Sequence, residues 1–336
     1  ALIIAPKYDI PIYVLAWGVL TAGFAQLIIQ LFPLKQIDRL PVPKFDINNQ
    51  GTRKVFKLII PAILAGGIMQ INLLIDTIFA SLLQTGSPTW LYVSDRLIQF
   101  PLGIFAIAIG TVLLPTLSKI DISKDMNGFI DIVKKGQRFV LFIGIPSFIG
   151  LALCSTDLLS TIFLRGEFKV YDVNQASLSL IAFSFGLPFF MLMKVLTPAF
   201  FARKDTKTPM YIALISLFLN AFLNYILAFV LNYGHVGIAI GSTISAFVSV
   251  IILELILVQQ GIVNLYNPFN RFNFSILVPS LVVIAFLIFL SEHISFLQLS
   301  MINKILVLFL KVFISIGIYL SLSRLIYGKP LKEIFN

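Results

Sequence analysis

Charge is scarce in this chain, and cysteine is scarcer. Only 12% of the 336 residues are charged, where an ordinary soluble domain carries about 25%. The single cysteine, Cys154, excludes an internal disulfide and any multi-cysteine metal site. The two histidines, His235 and His293, fall in segments that read as external loops, and neither is spaced with carboxylates as zinc requires. No glycine-rich loop ends in Lys-Ser or Lys-Thr, and no Gly-x-Ser-x-Gly elbow occurs. Phosphate-loop and serine-hydrolase chemistry are therefore excluded. The densest acids, Asp121, Asp125 and Asp131, are interleaved with Lys119, Lys124 and Lys134, which reads as a solvated loop.

What the chain has instead is apolar bulk. Hydrophobic residues make up 58%, with 32 phenylalanines, and the mean hydropathy is +0.97. That composition predicts an all-α, polytopic membrane helical bundle. The net charge of +10 would point to nucleic acid in a soluble protein. Here the basic residues sit between apolar runs, so the expected neighbours are membrane lipids and not nucleic acid.

About nine transmembrane helices are expected, near residues 10–32, 57–84, 90–118, 135–154, 173–201, 209–231, 236–258, 274–290 and 305–327. Alternating the loops between two sides puts eighteen of the 25 Lys and Arg on one side and five on the other, with Lys194 and Lys311 inside spans. By the positive-inside rule the eighteen are cytoplasmic, which sets the C-terminus inside and the N-terminus outside. Ala1 leads directly into a span, so the chain reads as the later part of a longer protein, short of an odd number of spans.

The informative residues are the polar ones inside spans. Asp95 and Arg96 lie side by side in the third, WLYVSDRLIQFPLGIFAIAIGTVLLPTLS. An ionisable group at a helix centre costs about 2.5–3.5 kcal/mol on insertion scales. Asp95 and Gln99 share a face, and Arg96 projects about 100° away. Two readings stand: the charged face looks into a wet pathway, or Arg96 snorkels to headgroups past Trp90 and Tyr92. Pro101 and Gly103 predict a bend. Asp76 lies deep in the second span, one turn after Asn72, and Asn220 and Asn224 form a similar pair in the sixth. Such oxygens suit a hard cation such as Na⁺, a carried proton, or inter-helix hydrogen bonds. Lys194 meets an anion or snorkels. Glu254 and Lys311 read as structural groups near helix ends.

SDRLIQFPLGIFAIAIGTVLLPTLSK (94–119) resembles the signature helix of the MurJ-type lipid II flippases, in the MOP transporter superfamily. LIDTIFASLLQTGSPTWLY (74–92), KVLTPAFFARKDTKTP (194–209) and RGEF (165–168) with Asp172 resemble further segments of that family, in the same order. The resemblance implies a fourteen-span protein of two six-helix lobes and two extra helices, here without its first five. Residues 1–55 would be the last helix of the N-terminal lobe and a cytoplasmic linker. Residues 56–260 would be the C-terminal lobe, and 261–336 two helices forming a groove for a lipid tail.

It also implies roles. Arg96 belongs to a basic cavity that receives the lipid II diphosphate, with Asp95, Gln99 and Lys194 as further substrate contacts. Gln99 stands where the family often has Glu. Asp76, Asn220, Asn224 and Ser242 correspond to a sodium site described in some members, with Asn224 in place of an acid. The implied function is flipping of lipid-linked peptidoglycan precursor across the bacterial inner membrane by alternating access, coupled to Na⁺, H⁺ or the membrane potential. No catalysis and no cofactor are expected, and the missing N-terminal lobe is an expected partner. The alternatives are a related MOP exporter of another polyprenyl-linked oligosaccharide or drug, and a membrane glycan polymerase or ligase. The latter would need a larger external segment than 155–172, which offers only Asp157, Glu167 and Asp172 as acids.

Overall fold

The computed structural model describes residues 11–36, 67–68, 70–122, 124–262 and 271–327, and no strand occurs among them. The chain forms two units, residues 1–61 and 62–336. In the first, α1 (Pro11–Gln36) is the described element. The linker expected up to residue 55 lies outside the described residues, as does the expected second span up to residue 66.

The second unit begins with helix α2 (70–81). A turn leads to α3 (Ser87–Pro101), a π-helical turn (Leu102–Ile107) and α4 (Ala108–Ser118), which together make one span, Ser87–Ser118. At the place where a bend is expected, a wide π-helical turn follows Pro101. Proline lacks an N–H, so the carbonyl one turn before it loses its helical donor, and the widened turn follows directly after it. Then come α5 (Met126–Leu153), α6 (Ser155–Ile162), α7 (Val170–Ala202), α8 (Lys207–Tyr225), a second π-helical turn (Ile226–Val230), and α9 (Gly234–Gln259). The pair α10 (Arg271–His293) and α11 (Met301–Tyr327), joined through a short 3₁₀ turn (Phe296–Gln298), ends the described chain. Eight helices among the described residues are long and apolar enough to cross a membrane. The protein is an all-α, multi-pass membrane protein.

Helix α7 organises the unit, packing against α3, α4, α5, α6 and α9. Its buried Leu180, Leu187, Met191, Leu196 and Phe200 form one core with Trp90, Leu117, Phe129, Val140 and Leu253. Register follows from a few contacts. The Trp90 indole donates to Asp172 at 2.9 Å, and the Ser94 hydroxyl donates to the Ala176 carbonyl at 2.7 Å. Further along, Gly110 lies against the Lys194 carbonyl, where a Cβ would sit 3.0 Å away. The α3–α4 span and α7 therefore run parallel, residue n beside about n + 82. The α5 helix runs antiparallel to α7, with Gly136 facing Val195 and Gly144 facing Met191. This is the alternation that consecutive membrane crossings require.

Three expectations need correction. The short apolar piece in the 155–172 loop is helix α6, begun by Ser155, Thr156 and Asp157. His235 is not in a loop: it is the second residue of α9 and 6% exposed. Lys311 is not near a helix end: it lies ten residues into α11 and is buried in an ion pair.

Candidate functional site

A polar cluster lies where α2, α8 and α9 meet. On α2, Asn72 and Asp76 share a face; on α8, Asn220 and Asn224 do the same and are fully buried. The Asn224 amide nitrogen is 2.6 Å from Asp76 Oδ1 and 2.9 Å from Asn220 Oδ1. The Asn220 amide nitrogen donates to Ser242 Oγ of α9 at 3.0 Å. In this arrangement Asn220 Oδ1 faces Asp76 Oδ1 at 2.9 Å and Asn72 Oδ1 at 3.0 Å, so three acceptors converge, and the Asn224 amide nitrogen is the donor that Asp76 and Asn220 share. Turning the Asn220 amide lets its nitrogen donate to both oxygens, but then it faces the Asn224 amide nitrogen at 2.9 Å. Neither orientation satisfies every group. The Asn224 oxygen is buried and has no hydrogen-bond partner among the described residues. Small residues make the approach feasible: a Cβ on Gly241 would clash with the Asn224 side chain. Thus Asp76, Asn220, Asn224 and Ser242 are brought together, and Asn72 joins them. An oxygen-rich cluster short of donors suits a hard cation or an added proton.

The second group lies on α3. Its inward face buries Trp90, Leu91, Val93, Ser94 and Ile98. The outward face carries Tyr92, Asp95, Arg96 and Gln99. The Gln99 amide donates to Asp95 Oδ1 at 3.3 Å. The Arg96 guanidinium lies over the Tyr92 ring, 4.6 Å from its centroid, and makes no ion pair among the described residues. Stacking holds a guanidinium flat while leaving its N–H fork available to an oxyanion. Arg96 is exposed, so it is not sealed in a dry core.

Lys194 does not join this group. Its partner level on the other span is Gly110. Arg96 lies fourteen residues before Gly110, about 20 Å along the helix at 1.5 Å per residue. Lys194 is half-buried between Pro188 and Pro198 and has no carboxylate partner among the described residues.

A family model described as "Lipid II flippase MurJ" matches residues 1–310. The chain belongs to the MurJ lipid II flippase family. A probable lipid II flippase MurJ of Vibrio cholerae is 44% identical over 262 residues, covering 78% of this chain and 50% of that protein. One of Haemophilus influenzae is 41% identical over 259 residues, covering 75% and 50%. A solved MurJ structure, in an inward closed conformation, superposes with a TM-score of 0.69 at 27% identity, covering 87% of this chain and 58% of that one. An outward-facing multidrug-resistance MATE transporter of the MOP superfamily superposes at 0.54 with 17% identity, covering 67% and 51%, a likeness of fold alone. The chain spans about half the length of the curated MurJ relatives it matches.

Two polar arrangements of this MurJ-family chain were not anticipated from its sequence. His235 Nδ1 is 2.6 Å from Ser179 Oγ, and Nε2 is 3.0 Å from Gln175 Oε1. Its ring meets the Trp90 ring edge-on at 4.8 Å. A proton on Nε2, with Nδ1 accepting from Ser179, satisfies all three side chains. Gln175 and Ser179, four apart on an apolar helix, were the available signal. The other is the Asp157–Lys311 pair, 2.6 Å between Nζ and Oδ2. Its signal was Lys311 alone in an apolar span, a charge that needs a partner.

Proposed function

We propose that this chain is the second lobe, with the extra helix pair, of a lipid II flippase of the bacterial inner membrane. It moves the lipid-linked headgroup by alternating access and carries out no covalent chemistry. The observation that carries this reading is the 44% identity to the Vibrio cholerae protein over 78% of the chain. The outward face of α3 is the headgroup contact: Arg96 offers a flat fork of donors to the diphosphate, with Asp95 and Gln99 beside it. The stacking on Tyr92 reduces the freedom that binding would have to remove. Lys194, about 20 Å along the span, contacts the substrate only at another stage of its passage.

The α2–α8–α9 cluster is the ion site. Its donor set of the Asp76 carboxylate, the Asn72 and Asn220 amide oxygens and the Ser242 hydroxyl, with Asn224 alongside, fits Na⁺. A bound cation would neutralise Asp76 and tie α2 to α8 and α9, and a proton on Asp76 would relieve the same acceptor crowding. A cation held between helices links their packing to an ion gradient.

The test uses vesicles reconstituted with this chain and the N-terminal half of a MurJ relative, following translocation of a labelled lipid II headgroup. Arg96→Ala is expected to lower the rate about tenfold, the worth of one charge-assisted contact, with partial rescue by Arg96→Lys. Unchanged translocation in Arg96→Ala overturns the site. In the same protein, Na⁺ should raise thermal stability relative to K⁺, and Asp76→Asn should abolish that difference.

A further inference from the structure

A second charged site lies far from the α3 face, at the junction of α6 with the α10–α11 turn. Lys311 is 3% exposed and Asp157 is 9% exposed, and their ion pair forms the floor of an open-sided cavity of about 330 Å³. Thr156, Ser291, Ser295 and Gln298 add hydroxyl and amide groups to its walls. Small-ligand pockets typically measure about 300–1,000 Å³. The Lys311 ammonium also stands 5.3 Å from the Phe296 ring centroid. Asp157 accepts from it through Oδ2, and Oδ1 has no protein donor among the described residues.

A buried ion pair contributes little net stability, because desolvating two charges offsets their attraction. Here both charges border a polar cavity, and that limits what the cavity can hold. A simple anion drawn to Lys311 would meet the Asp157 carboxylate, which lies 2.6 Å from the ammonium. A simple cation would meet the ammonium. A molecule with both signs satisfies both groups. The cavity opens at the turn that joins two membrane-length helices, with Ile294, Phe296 and the exposed Leu297 in its wall, and Lys311 reaches it from within α11. The apolar part of that wall suits acyl chains.

We propose that this cavity binds the headgroup of a zwitterionic aminophospholipid, its ammonium on Asp157 and its phosphate on Lys311 with Gln298 and the hydroxyls. The lipid so held fills the join between α6 and α11. Helix α11 otherwise packs mainly on α10, so this lipid steadies the attachment of the helix pair to the bundle.

The chain purified in detergent, mixed with equal phosphatidylethanolamine and phosphatidylglycerol, and analysed by native mass spectrometry gives the test. Phosphatidylethanolamine should be retained about tenfold over phosphatidylglycerol. Replacing the pair together, Asp157→Leu with Lys311→Met, keeps an apolar contact and should remove that preference. Ser295→Trp fills the cavity while sparing the pair, and it should expel the lipid even if the double variant does not fold. Equal retention of the two lipids, or unchanged retention in Ser295→Trp, overturns the proposal. Equal retention of soluble phosphoethanolamine overturns the assignment to a lipid.

Discussion

At the scale of the residue, Asn224 shows how a neighbour sets a side chain's role. Alone on an apolar helix, an asparagine serves equally as glue between helices or as a ligand. Here its nitrogen is committed to Asp76 and Asn220, and its oxygen occupies the space that a Cβ on Gly241 would need, with no donor among the described residues. Gly241 provides the space. Gly241→Ala should therefore force the amide aside and cost about 1–3 kcal/mol, as overpacking in a filled core does. Thermal unfolding in detergent checks this, and Asn224→Ala in the Gly241→Ala background should recover part of the loss. The pair was not legible beforehand, because glycine in an apolar run signals close approach without naming what approaches.

The elements raise a different question, namely what starts and stops each helix. Helix α8 begins after the ARKDTKTP segment, where Asp205 accepts from the Thr208 amide at 3.0 Å and from its hydroxyl at 2.6 Å. Partial burial pushes the Asp205 carboxyl up, but the bonds from Thr208 and the nearby Arg203 together hold it below the ordinary carboxylate range. A depressed carboxyl stabilises the fold above its unfolded value, and that contribution is lost as pH falls through the folded value. Asp205→Ala should cost about 1 kcal/mol. Hydrogen exchange should show less protection in the first turn of α8 at neutral pH, and the difference from the unchanged protein should vanish in acid. A result independent of pH would mean that the cap acts without its charge. Element existence was readable from apolar length for every described span, and Pro101 marked where the regular helix gives way to a π-helical turn. The buried start of α9 at His235 was not, because Tyr233, Gly234 and His235 read locally as a turn. Burial came from Trp90, Gln175 and Ser179.

For the whole molecule, the parallel register of the α3–α4 span with α7 makes a topological prediction. With Cys154→Ser as background, cysteines at Ser94 and Ala176 should cross-link readily. Cysteines at Ser94 and Lys194 should not, since they lie about 24 Å apart along the bundle. A link between the second pair would overturn the register. The charge bias predicts sidedness. A cysteine at Lys124 or Lys204 should be labelled from the cytoplasmic side, and one at Lys169 from the opposite side. Labelling of all three from one side would contradict alternate crossing.

Composition and apolar run length were enough to determine that this chain is a helical, multi-pass membrane protein, because a bilayer demands a fixed length of apolar helix whatever surrounds it. Local segments such as SDRLIQFPLG were enough to place it in a family. Which polar groups meet was decided only by tertiary packing. Asp76 and Asn224 are 148 residues apart and Asp157 and Lys311 are 154 apart, and no periodicity records a pairing at that distance. The meeting of α2 with α8 joins Asp76 to Asn224, the register of α7 on the α3–α4 span separates Lys194 from Arg96, and the approach of α11 to α6 gives Lys311 its carboxylate.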